Sequence, residues 1–178
     1  MRKGWFRFTD QDGDRTLEQQ LVGLESIPWH GKSVLDLGCA EGLISKHAAQ
    51  AGARWVHGVD ILPSHVERAR KECDCYPCSF EVANLNDPII FGPHDIVLML
   101  GILHKLRDPC AAAARYARYA RELIVIRFPP GEAPWIISDR RSGHVRHDVS
   151  EPLSKAGWSL SLTRRGTFDE FTGIWRKA

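Results

Sequence analysis

Short apolar runs recur along the chain, and most are followed by a segment whose apolar residues fall at helical spacing. This alternation predicts a parallel sheet covered by helices. The first run, Ser33-Val34-Leu35-Asp36-Leu37, is apolar on both faces, as a strand buried inside such a sheet must be. It breaks at Gly38-Cys39-Ala40-Glu41-Gly42 into a helix expected over 43–51. Further strands are expected over 55–60, 79–83, 95–100 and 122–127, that over 95–100 being nearly continuously apolar. Ser64-x-x-Glu67 has the form of a capping box for a helix ending near Glu72, and Asp108 as N-cap with Pro109 behind it opens an alanine-rich helix. Residues 131–146 show no period and predict an irregular loop. A short helix over 150–156 precedes a closing antiparallel pair over 158–163 and 171–175. At the other end, Thr16-x-x-Gln19 caps a helix carrying Leu17, Leu21, Val22 and Leu24, which Pro28 stops. An aromatic arm, Trp5-Phe6-Arg7-Phe8, lies ahead of it.

Composition adds limits. With 178 residues, 43% hydrophobic, the chain suits one α/β domain, residues 32–178, with an N-terminal arm and helix, 1–31, packed on it. A net charge of +2 gives no bulk electrostatic case for nucleic-acid binding. There is no run of membrane-spanning length, and Met1-Arg2-Lys3-Gly4-Trp5 lacks the apolar core of a signal peptide, so a cytoplasmic protein without membrane partners is expected. Cys73, Cys75 and Cys78 crowd together, but no second ligand pair at zinc spacing accompanies them. Free thiols and no metal are the expectation.

Chemistry concentrates at the first glycine turn. Gly38 and Gly42 let the backbone approach a ligand, and the helix start behind them presents unpaired N–H groups. The spacing is not G-x-G-x-x-G, because Leu43 stands where the third glycine would fall, and there is no phosphate loop of the Walker type. Asp60 ends the second strand about twenty residues beyond the turn, the separation at which an acid meets both ribose hydroxyls of a nucleoside cofactor. It could instead cap the next helix, although Ser64 already offers a cap there.

At these residues the chain resembles the class I S-adenosylmethionine-dependent methyltransferases. Asp36-Leu37-Gly38-Cys39-Ala40-Glu41-Gly42 fits the family's first motif, acid-x-Gly-x-Gly-x-Gly, with Ala40 as its one departure. The resemblance runs from about Lys32 to Ala178. It implies the family's doubly wound seven-stranded sheet with a terminal antiparallel hairpin, and S-adenosyl-L-methionine as cofactor, leaving as S-adenosyl-L-homocysteine. It further implies cofactor contacts at Asp36, Gly38, Cys39, Ala40, Gly42, Asp60, Ile61, Asn84, Leu85 and Leu100, with Asn84 and Leu85 flanking the adenine.

The resemblance also implies direct displacement of an activated methyl, for which positioning supplies most of the rate and a base is needed only if the acceptor must lose a proton. His104, just after the fourth strand, is the candidate base, or else a wall of the pocket. Leu100-Gly101-Ile102-Leu103 replaces the Pro-Pro motif of exocyclic base methylases, and Pro109-Cys110 lies too late for a cytosine-C5 nucleophile, so Cys110 is expected as a buried thiol. An oxygen or nitrogen of a small molecule is the expected acceptor. Two alternatives stay open. Residues 29–129 look somewhat like enzymes modifying wobble uridines of tRNA, and Arg140, Arg141, Arg146, Arg164 and Arg165 could meet phosphates; or the chain binds the cofactor as a non-catalytic subunit. Trp5, Phe6 and Phe8 are expected to close over the site.

Overall fold

Residues 33–37 form β1 (Ser33–Leu37), a strand buried along its whole length because the sheet continues on both sides of it and helices cover both of its faces. The computed structural model describes residues 16–128, 135–139, 145–166 and 169–178. In chain order around β1 come α1 (Leu17–Leu21), α2 (Leu43–Gln50), β2 (Trp55–Asp60), α3 (Pro63–Glu72), β3 (Cys78–Val82), β4 (His94–Leu100), α4 (Pro109–Ala117) and β5 (Ala120–Phe128). They are followed by β6 (Ile136–Asp139), β7 (Val145–Asp148), α5 (Ser150–Lys155), β8 (Trp158–Arg165) and β9 (Phe171–Lys177). The main sheet has seven strands in the order β3-β2-β1-β4-β5-β9-β8. β1 to β5 run parallel, and β9 inserts antiparallel between β5 and β8.

Side chains along each central strand alternate between two cores. Leu35, Leu37, Val97, Met99, Ile124 and Ile126 face α4 and α5, where Ala113, Tyr116 and Leu153 meet them. Val34, Ile96, Leu98 and Val125 face α2 on the other side, together with Leu24, Ile27 and Trp29 from the N-terminal segment. A smaller cluster of Val66, Ala69 and Phe80 seats α3. The strand order reverses between β1 and β4, and a doubly wound sheet opens a crevice beyond the carboxyl ends of its strands at such a point.

Three expectations are corrected. α1 is only five residues long and stops at Leu21, because Val22 is extended and Gly23 takes φ +84°; Pro28 has no part in ending it. Its end is tied down instead by the buried Arg127, whose Nη2 donates to the carbonyls of Gln20 and Val22 at 2.7 and 3.1 Å. Ser64 does not cap α3: the helix begins at Pro63 with Leu62 as N-cap and no side-chain cap bond. Within 131–146, expected to be irregular, β6 and β7 pair as a separate two-stranded antiparallel ribbon. Among the described residues no helix is long and apolar enough to cross a membrane.

Candidate active site

After β1 the backbone turns through three left-handed residues, Gly38 at φ +78°, Ala40 at φ +48° and Gly42 at φ +81°. The turn is anchored by Gly38 N and Cys39 N, which both donate to Val59 O at 2.8 and 3.0 Å. A Cβ on Gly42 would stand 2.9 Å from Ala69 Cβ, which leaves it no room, and one on Gly38 would stand 3.0 Å from the Ile102 side chain, which would have to give way. Ala40 carries a Cβ in a conformation that costs an L-residue about 1–2 kcal/mol.

Asp60 holds that strained residue. Its Oδ2 accepts from Ala40 N and its Oδ1 from Leu62 N, both at 3.0 Å, so the carboxylate ties the glycine turn to the start of α3. The two readings of Asp60 are therefore compatible: it bonds the N-cap residue of α3, and it also lines the cleft beside the turn. His65 Nδ1 stands 3.4 Å from Asp60 Oδ1.

Asp36 sits deeper, 3% exposed, and accepts a 2.7 Å hydrogen bond from Ser45 Oγ on α2. Burial pushes its carboxyl up to about 6; the Ser45 hydrogen bond opposes the rise, and the nearby Asp60 charge adds to it. With Gly38, Cys39 and Leu100, Asp36 lines a small pocket at the carboxyl ends of β1 and β4. Burial, then the charges of Asp36 and Asp60, push the Cys39 thiol far up, so it stays neutral there.

A larger cleft of about 120 Å³ shares Gly38 with that pocket. Asp60, Ile61, Asn84 and Leu85 line one side, and Ile102, Lys105 and Leu106 the other. Its two walls are braced. Arg107 N donates to Asn86 Oδ1 at 2.9 Å across the post-β3 and post-β4 loops, and the buried Tyr116 hydroxyl donates to Leu85 O at 2.7 Å. Asn84 Oδ1 accepts from Asn86 N at 3.0 Å, which orients its amide.

The sequence-derived residues thus fall in two adjoining pockets. Gly38, Asp60, Ile61, Asn84 and Leu85 meet in the cleft, Asp36, Cys39 and Leu100 line the inner pocket, and Ala40 and Gly42 shape the turn without lining either. His104 is half-buried and lines neither. It lies in a 3₁₀ turn, Leu103–Lys105, whose period of three puts Ile102 and Lys105 on one side and His104 on another. Ile102, Lys105 and Leu106 were not singled out from the sequence, nor was Ser45, though the three-residue spacing of Ile102 and Lys105 was the available signal. All five cysteines are free, and Cys110 is half-buried rather than enclosed, its Sγ donating to Asp148 O at 3.3 Å. Trp5, Phe6, Phe8, Arg140 and Arg141 lie outside the described residues. Arg164 is exposed, and Arg165 pairs with Asp169 at 3.1 Å.

A doubly wound sheet with a glycine turn after its first strand and an acid at the end of its second is the architecture common among proteins that bind nucleoside-type cofactors. Comparison with known proteins makes this specific: the family described as "Methyltransferase domain" matches residues 34–122, and the chain belongs to the class I S-adenosylmethionine-dependent methyltransferases. It is 28% identical over 96 residues to a ubiquinone biosynthesis O-methyltransferase of Neisseria meningitidis, covering 51% of this chain and 40% of that protein. It is 29% identical over 145 residues to the ribosomal protein L11 methyltransferase of Bacillus subtilis, covering 79% of this chain and 42% of that one. The chain thus spans about two-fifths of the length of these curated relatives. The fold is similar to that of magnesium protoporphyrin IX methyltransferase from Synechocystis, crystallised with S-adenosylmethionine, at a TM-score of 0.74 and 23% identity over 98% of this chain and 86% of that one.

Proposed function

We propose that this chain transfers the methyl group of S-adenosylmethionine to an oxygen or nitrogen of a small molecule. The observation that carries the reading is the cleft at the strand reversal, where the Asp60 carboxylate, oriented by Ala40 N and Leu62 N, faces the same space as Asn84 and Leu85. Asp60 would take the ribose hydroxyls, Asn84 and Leu85 would flank the adenine, and the buried Asp36 would face the cationic amino-acid end. Bound S-adenosylmethionine would supply a methyl activated by the sulfonium; the acceptor atom would attack that carbon in line as the C–S bond breaks, and S-adenosylhomocysteine would leave. The protein's contribution is then mainly to hold the two partners in line and to exclude water, worth several orders of magnitude without a strong catalytic group. Should the acceptor carry a proton, His104 in the post-β4 turn is the group proposed to receive it, an imidazole being suited to that exchange near neutral pH; as His104 lines neither pocket, the acceptor would have to reach past the cleft to meet it.

The small-molecule acceptor is favoured by the names of two proteins similar to this one, a ubiquinone biosynthesis O-methyltransferase and a magnesium protoporphyrin IX methyltransferase. A second reading, methylation of a protein, is favoured by the longer alignment with the ribosomal protein L11 methyltransferase. Incubation with methyl-labelled S-adenosylmethionine and separate pools of metabolites, protein and RNA decides among them. Label in metabolites is expected. Label confined to protein or RNA overturns the small-molecule reading, and cofactor binding with no label in any pool makes the chain a binding subunit.

A further inference from the structure

We propose that Asp108, Cys110 and His147 form a binding site for a borderline-soft divalent cation of the zinc type. The donor atoms of these three side chains lie within 4.8 Å of one another, although they come from the start of α4 and from β7. A tetrahedral zinc ion with ligand bonds of about 2.0–2.3 Å needs its donors roughly 3.3–3.8 Å apart, so a contraction of about 1 Å through side-chain rotation closes the site. The elements that carry the ligands are already joined. Cys110 Sγ donates to the carbonyl of Asp148, the residue after His147, at 3.3 Å, and Val149 N donates to Trp135 O at 3.0 Å, fixing the end of the ribbon. Asp108 uses Oδ1 to cap α4 through Ala111 N at 2.9 Å, which leaves Oδ2 for a ligand.

The donor set decides the ion. A thiolate, an imidazole and one carboxylate suit zinc and its neighbours, whereas calcium and magnesium want oxygen alone. Binding breaks the Cys110 S–H bond, forms a metal–sulfur bond and releases the proton to solvent. Thiolate and carboxylate then balance the charge of the ion, with neutral His147 as third ligand and a water completing four. The surroundings are anionic, since the carboxylates of Asp108, Asp148 and Glu151 all act on the thiol, and a bound cation would offset them. The pattern escapes a reading by sequence spacing because Asp108-x-Cys110 supplies only two ligands and the third arrives through the β6–β7 ribbon. Such an ion would staple β7 to α4 two residues beyond Leu106, which lines the cleft.

The test uses the untagged full chain, freed of metal with a chelator and titrated with Co²⁺ under reducing conditions. One equivalent should bind with a thiolate-to-cobalt charge-transfer band and tetrahedral visible bands, releasing a proton as the thiol ionises. Cys110→Ser should abolish the charge-transfer band, and His147→Gln and Asp108→Asn should each weaken binding at least about tenfold. Asn at 108 keeps the helix cap. Cys75→Ser and Cys78→Ser should leave the band intact. Absence of a thiolate band at saturating Co²⁺, or a band that survives Cys110→Ser, overturns the proposal. If Cys110→Ser does not fold, unchanged Co²⁺ affinity in His147→Gln does the same.

Discussion

Replacing Asp36 by Asn should stabilise the protein at neutral pH while changing little near pH 4. The carboxyl is buried beneath the glycine turn, and its pKa is raised from 3.8 to about 6. The native state therefore binds this proton more tightly than the unfolded chain. The group's favourable contribution is complete below pH 3.8 and is lost as pH rises through 6, after which a constant penalty remains. A shift of roughly two units corresponds to about 3 kcal/mol, an order of magnitude that already includes the opposing hydrogen bond from Ser45. Asn keeps an acceptor for Ser45 Oγ and has no proton to lose. The stability difference between variant and wild type should therefore open from near zero at pH 4 to about 3 kcal/mol above pH 7.

Urea unfolding of both proteins at half-unit pH steps measures that difference, and titrating groups that do not feel the Asp36 charge cancel in the subtraction. A difference constant within about 0.5 kcal/mol across the range would refute the reasoning, since an exposed or well-solvated Asp36 gives no slope. Under the proposed function the same burial gives the charge a use. A cation bound beside it relieves the penalty, so affinity for S-adenosylhomocysteine, which keeps the ammonium, should rise with pH through 6 in the wild type and be flat in Asp36→Asn.

Asp60→Ala should weaken S-adenosylmethionine by about 1.5–3 kcal/mol, the range for hydrogen bonds to a charged group, and calorimetry showing unchanged affinity would remove Asp60 from the site. Ala40→Gly should be neutral or stabilising by up to about 1.5 kcal/mol in chemical denaturation: relief of about 1–2 kcal/mol of left-handed strain exceeds the roughly 0.4–1 kcal/mol of added unfolded-state entropy. A loss above 1 kcal/mol would mean the Cβ has a role of its own. His104→Ala should leave cofactor affinity intact and slow single turnover by roughly 10²–10⁴-fold if the imidazole is the base, and a fall below about tenfold with the pH profile unchanged assigns it to the wall.

The central parallel strands β1 and β4 were legible because burial on both faces leaves a mostly apolar run, whereas β2 and β3 are partly exposed and were placed by their turns and their position between helices. In β4 all seven residues are buried, and no amphipathic helix produces such a pattern. The ends of the helices were not legible. The capping box at Ser64 is a local signal, but Pro63 fits the first helical position and Asp60 reaches Leu62 N from the strand end, so an equally local bond two residues long holds the helix start in place of the Ser64 cap. The β6–β7 ribbon was hidden for a different reason. Its strands have four residues each, and among the described side chains Ile137 is the one that joins the core, too little to set up an alternation.

The site was legible wherever topology alone brings residues together. Gly38, Asp60, Asn84 and Leu85 all follow the carboxyl ends of neighbouring parallel strands, so they converge whatever their side chains do. Lys105 and Ile102 required the phase of a 3₁₀ turn, and a one-residue change of phase would have put His104 in the cleft instead. The departure from the family motif at Ala40 marks how the turn is held. Left-handed strain of about 1–2 kcal/mol is smaller than the roughly 1.5–3 kcal/mol available from a hydrogen bond to a carboxylate, so the bond from Ala40 N to Asp60 Oδ2 suffices to keep an alanine where a glycine would rest without strain. That bond acts in both directions. It fixes the loop, and it fixes the carboxylate that the loop leaves facing the cleft, so the lone pairs proposed for the ribose are oriented before any ligand arrives.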